Sequence, residues 1–70
     1  MKYLIILEKT GTGFSAYSPD LPGCVSAGDT PEETEDNMRE AIAIHIEGLR
    51  GEGMSIPLPQ SRASYVEVAA

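Results

Sequence analysis

The 70 residues carry 11 acids against five bases, a formal net charge of −6, with one cysteine and one histidine. That inventory excludes an intrachain disulfide and a four-ligand structural zinc site. It also speaks against phosphate neutralisation, which needs a basic face, and no run approaches the ~18 apolar residues of a membrane span. A chain this short buries only about 60% of the surface its unfolded form exposes, so a single domain over residues 1–70 is expected to lean on self-association for stability.

The first expected element is a strand over Lys2 to Lys9. Tyr3, Leu4, Ile5, Ile6 and Leu7 are consecutive, so both faces of that strand are apolar, as in a central strand covered on two sides. One helix covers only one face of a sheet, so either Tyr3, Ile5 and Leu7 or Leu4 and Ile6 are left as a partner surface. The same stretch follows a lysine as a signal peptide would. It is only five residues long and ends at Glu8-Lys9 without a cleavage site, which points to a cytoplasmic protein with a reduced thiol.

Thr10-Gly11-Thr12-Gly13 is a hairpin loop, and Phe14 to Ser18 is the second strand. Pro19-Asp20-Leu21-Pro22-Gly23 then turns the chain, with two prolines fixing φ and Gly23 free to take a positive φ. Asp20 is read as accepting backbone hydrogen bonds in this turn. Cys24 to Gly28 is a short third strand. Cys24 is read as a small buried hydrophobe, because no neighbouring Lys or Arg would lower its pKa.

The helix start is the clearest local signal. Thr30 caps, Pro31 takes the first helical position, Glu33 completes a capping box, and Asp29 supports the junction. The helix is expected from Pro31 to about Glu52, with Gly53 as terminator. Met38, Ala41, Ile42, His45 and Leu49 form its apolar stripe, with Ile46 at the edge. His45 reads as a packed residue, since a general base needs a partner and a pocket. An extended IPLP connector follows, then a last strand over Ala63 to Val68.

This order gives an α+β domain, β-β-β-α-β, with one helix on one face. Strands 1–3 form an antiparallel meander, and a right-handed crossover lays the last strand parallel to the first. The resulting sheet order is 3-2-1-4, with the first strand internal.

The run YSPDLPGC, then SAGDTPEE, REAI on the helix and a G-x-x-IPxP tail resembles the HicB-type antitoxin domain over nearly the whole chain. The matching positions are Tyr17, Pro19, Asp20, Leu21, Pro22, Gly23, Cys24, Gly28, Asp29, Thr30 and Glu33, with Ala41, Ile42, Gly53, Ile56, Pro57 and Pro59 further on. The resemblance implies a partial ribonuclease-H-like fold, dimers or higher oligomers, and a partner: a small basic mRNA-cleaving toxin of the HicA type. Many such antitoxins carry a C-terminal DNA-binding segment. Nothing follows Ala70 here, so direct operator binding is not expected.

No metal, cofactor or catalytic residue is expected. The first strand carries Leu and Ile where a two-metal nuclease would place an acid. Glu32, Glu35, Asp36, Glu40 and Glu47 read either as a solvated helix face or as the docking face for a basic toxin. The main expectation is a binding module that occludes a toxin. The alternatives are an orphan homo-oligomeric interaction domain and an enzyme using Cys24 or His45.

Overall fold

A computed structural model describes residues 1–70. The elements are β1 (Ile6–Lys9), β2 (Phe14–Tyr17), β3 (Val25–Gly28) and α1 (Pro31–Gly51). The strands form an antiparallel sheet in the order β1-β2-β3, and Ile6, Tyr17 and Val25 share one row of its register.

The chain's punctuation sets these boundaries. Thr10 N–H donates to the Gly13 carbonyl across the hairpin loop. Two successive turns, Leu21 N–H to Ser18 O and Cys24 N–H to Leu21 O, reverse the chain after β2, and Gly23 supplies the required left-handed backbone at φ +83°. Thr30 Oγ1 accepts from Glu33 N–H at 3.1 Å. The cap therefore works through Thr30, and the exposed Asp29 stands beside it. At the other end, Gly53 N–H bonds Arg50 O and Met54 N–H bonds Leu49 O, with Gly53 at φ +70°. This is the Schellman arrangement, which satisfies the last helical carbonyls.

The core is small. Ala16, Leu21, Cys24 and Met38 are its buried apolar residues, with Tyr3, Ile5, Leu7, Ala41 and Ile42 packed around them. The choice left open by the first strand is thus settled: Tyr3, Ile5 and Leu7 turn to the helix, and Leu4 and Ile6 take the opposite face. Leu21 is fully buried, so the proline-flanked turn folds its one large apolar side chain inward. Thr34, also fully buried, donates from Oγ1 to Thr30 O at 2.7 Å. Its own carbonyl accepts from Ser26 Oγ at 3.1 Å. Gly28 makes this approach possible, because a Cβ there would stand 2.8 Å from Thr34 N and Oγ1.

Three expectations fail at the sheet's edge. The strand expected over Ala63 to Val68 does not form; the sheet has three strands, not the order 3-2-1-4. β1 is consequently an edge strand rather than an internal one. It also begins at Ile6, not Lys2, because β2 ends at Tyr17 and leaves residues 1–5 without a ladder partner. Leu4 O is held there by Ser18 Oγ at 2.9 Å instead of by a strand. The physical reason is common to all three: strand formation needs a neighbour as well as a β-prone sequence, and the last segment never reaches β1.

Leu21→Ala should lower stability by about 2–5 kcal/mol, the range for opening a cavity at a fully buried leucine. Gly28→Ala should cost about 1–3 kcal/mol by forcing the helix off β3. Urea unfolding followed by circular dichroism checks both. A midpoint unchanged by either substitution would contradict this packing.

Candidate functional site

The helix is two-sided in chemistry. At 3.6 residues per turn, Glu32, Asp36, Glu40 and Glu47 fall within about 80° of one another around its axis. Thr34, Met38, Ala41, Ile42, His45 and Leu49 occupy the other side, where all are buried or half-buried. Glu32, Glu35, Asp36, Glu40 and Glu47 are exposed. Arg39 bonds Asp36 at 2.8 Å and approaches Glu35 at 3.6 Å. These solvent-exposed pairs contribute little to stability, but they partly neutralise Glu35 and Asp36. Glu32, Glu40 and Glu47 carry the uncompensated charge.

The sheet's far face is apolar at one end, with Glu8 and Ser15 in the next row. Ile6, Tyr17 and Val25 form a row across all three strands, and Val25 is 64% and Tyr17 39% exposed. Leu4 extends the row along β1. A second open region lies beside β1, where the helix gives least cover because it sits mainly over β3 and β2. Tyr3, Ile5, Leu7 and Ile42 line this groove, with Glu35 and Arg39 at its rim.

The turn after β2 holds the chain that follows the helix. Asp20 accepts from Gln60 N–H at 3.1 Å, Ser61 N–H at 3.0 Å and Ser61 Oγ at 2.9 Å. These bonds, led by the one from Ser61 N–H, hold its carboxyl below the ordinary aspartate value. Asp20 thus accepts backbone hydrogen bonds as expected, but from a segment 40 residues away rather than from its own turn. Tyr3 Oη donates to Pro57 O, a second clasp on the same segment.

The two reactive-looking side chains are not brought together with other chemistry. Cys24 is buried, and that burial pushes its thiol pKa up, which keeps it protonated and unreactive. His45 and Cys24 both border a shallow depression with Gly23, Val25, Ala41 and Ile44. No three His, Cys, Asp or Glu side chains converge in a way that could hold a metal. No helix is long and apolar enough to cross a membrane.

Of the family-motif residues, Pro19, Asp20, Leu21, Pro22, Gly23 and Cys24 form the turn, with Tyr17 next to it on the far face. Gly28, Thr30 and Glu33 sit at the helix seat. Sequence reasoning missed Leu21 as a core residue and Ser61 as the partner of Asp20. The groove beside β1 was missed as well, since it exists only because the last strand is not there.

Residues 3–69 match the HicB_like antitoxin family of bacterial toxin-antitoxin systems. The chain belongs to that family. It is 41% identical over 66 residues to an uncharacterized 14.9 kDa protein in the rep-hol intergenic region of Haemophilus phage HP1, covering 94% of this chain and 50% of that protein. It is 30% identical over 71 residues to Antitoxin HicB 2 of Photorhabdus laumondii, covering 100% of this chain and 51% of that one. It thus spans about half the length of these two relatives. Among solved structures, a chain of the HicA3 and HicB3 toxin-antitoxin complex superposes with a TM-score of 0.74 at 43% identity, over 86% of this chain and 70% of that one.

The Asp20 clasp has a definite pH sign. Because the folded carboxyl titrates below its unfolded value, the clasp is fully present above the ordinary aspartate pKa of about 3.9. It is lost as pH falls through the lower folded value. Asp20→Ala should move the Gln60 and Ser61 amide resonances to random-coil positions at neutral pH while the Leu21 and Met38 methyl signals stay in place. Unmoved amides would contradict the clasp. Separately, native Cys24 should react with a disulfide reagent at least about tenfold more slowly than a free thiol, and unfolding should abolish the difference; equal rates before and after unfolding would contradict burial.

Proposed function

We propose that this chain is the antitoxin-like partner of a small basic mRNA-cleaving protein of the HicA type, and that it neutralises that toxin by covering its RNA-binding and catalytic surface. The observation that carries this reading is the match, at 43% identity, to a chain of a HicA3 and HicB3 toxin-antitoxin complex. The net charge of −6 and the exposed acidic helix face add to it. Complementary charge speeds encounter with a basic partner and disfavours wrong ones.

In this reading Glu32, Glu40 and Glu47 make the principal contacts, and Glu35 and Asp36 contribute through the Arg39 network. The chain acts by binding, not by catalysis, and works in the cytoplasm, where its toxin would cleave mRNA. A surface already folded before encounter loses little conformational freedom on binding. Residues 1–70 serve as one HicB-like unit, and the turn residues Tyr17 to Cys24 hold the sheet and the returning chain in the shape the partner meets.

Co-expression with the proteins encoded by the neighbouring genes, followed by purification at moderate salt, tests the proposal. The expected result is a stable complex whose toxin no longer cleaves mRNA. A triple Glu32→Lys, Glu40→Lys, Glu47→Lys variant should bind on the order of tenfold or more weakly, with a flatter salt dependence. Full-strength binding by the triple variant would remove the acidic face from the account. Failure of the native chain to co-purify with any such neighbour would overturn the toxin partnership itself.

A further inference from the structure

Besides the stripe that faces the core, α1 carries a second ordered face. Asn37, Ala41, Ile44 and Gly48 recur at steps of four, three and four, so they fall within about 60° of one another around the helix axis. That is the spacing of a coiled-coil seam, whose a and d positions meet a neighbouring helix. Glu33, Glu40 and Glu47 run beside the seam at every seventh residue, about 10.5 Å apart. They hold the flanking position at which a coiled coil selects its partner by charge. All three are exposed, and the ion pairs of the helix join Arg39 to Glu35 and Asp36 instead.

The seam lies on the flank of α1 next to β3. Asn37 Nδ2 donates to Ala27 O at 2.8 Å, which fixes that side. Ala41 and Ile44 border the shallow depression of about 270 Å³ that also takes in Cys24, Val25 and His45. Ile44 is 65% exposed although apolar, and Val25 across the depression is 64% exposed. Glycine inside a helix is unfavourable, and no packing within the chain calls for one at position 48, where an added Cβ would meet nothing. With the small Ala41, Gly48 lowers the seam so that another backbone can come close.

The charges beside the seam decide what fits it. Three glutamates at seven-residue intervals match a helix that carries Lys or Arg at the same interval. A second copy of α1 does not fit. In an antiparallel pair the two glutamate rows would face each other, and in a parallel pair each row would meet the side of the other helix that is already packed on its sheet.

We propose that this flank of α1 receives a helix of a basic protein partner. An apolar side chain of that helix sits over Ala41 and Gly48, between Ile44 and Val25, and its Lys or Arg residues pair with Glu33, Glu40 and Glu47. Ile44 supplies the apolar anchor, and the glutamates set orientation and exclude acidic partners. That the partner is a toxin rests on the function proposed above; the docking geometry rests on the seam.

Two measurements on the whole chain test it. In an NMR titration of the 15N-labelled chain, a three-heptad peptide with leucine at a and d and lysine at e and g should shift the amide signals of Ala41, Ile44 and Gly48. The same peptide with glutamate at e and g should leave them in place. Ile44→Ser and Gly48→Leu should keep the helical circular dichroism, because Ile44 is exposed and position 48 is open. Each should weaken binding of the lysine peptide about tenfold or more. In the complex with a co-purified neighbouring gene product, the same variants should raise Kd by a similar factor and leave the salt dependence, set by the glutamates, unchanged. Absence of shifts at millimolar lysine peptide, equal shifts with the glutamate peptide, shifts centred on the groove beside β1, or full-strength binding by both variants overturns the inference. So does a concentration-dependent shift of Ile44 in the free protein, which would assign the seam to self-association. A lysine peptide that binds at the seam while no neighbouring gene product co-purifies upholds the seam and removes the toxin as its occupant.

Discussion

One helix cannot cover both sides of a sheet, and this chain has only one. α1 lies over β3 and β2 with its apolar stripe inward, and four buried apolar side chains make up the centre of the core. Everything on the other side of the sheet, and everything beyond β1, is left to water or to another molecule. The exposed row Ile6-Tyr17-Val25 and the groove beside β1 follow from that single geometric limit. A small domain normally compensates a limited core with a disulfide or a metal; a chain with one cysteine and one histidine has neither route.

What the chain does have is tight local definition. The helix is seated rather than merely stacked, since Gly28 admits Thr34 to van der Waals range and Ser26 Oγ and Asn37 Nδ2 stitch β3 and α1 together at 3.1 and 2.8 Å. The turn from Ser18 to Cys24 has two roles. It drops Leu21 into the core and presents Asp20 to the returning chain. The seated helix and the clasped turn together fix the shape of this HicB-like domain.

The helix was legible in the sequence because its signals are local: Thr30-Pro31 at the start, the 3.6-residue stripe, and Gly53 after the end. The meander was legible for the same reason, through its glycine and proline turns. Leu21 was not, because a leucine between an aspartate and a proline reads as part of a surface turn. Its burial depends on where Met38 arrives from another element. Thr34 was hidden by being polar. The Asp20–Ser61 clasp joins residues far apart in the chain, and no local pattern announces it. The last strand is the instructive miss. Tyr65, Val66 and Val68 have the composition of a strand, but whether a strand forms depends on which edge is within reach. That is decided by two distant contacts, Tyr3 to Pro57 and Asp20 to Ser61.

We propose that association covering the exposed row of Ile6, Tyr17 and Val25 stabilises the fold. The dependence of the thermal midpoint on protein concentration tests it most directly, because a fold that is completed by association gains stability by mass action. The midpoint should rise steadily as the chain is concentrated. A midpoint that stays constant over a roughly hundredfold range, for a chain that sediments as a monomer throughout, would contradict the claim.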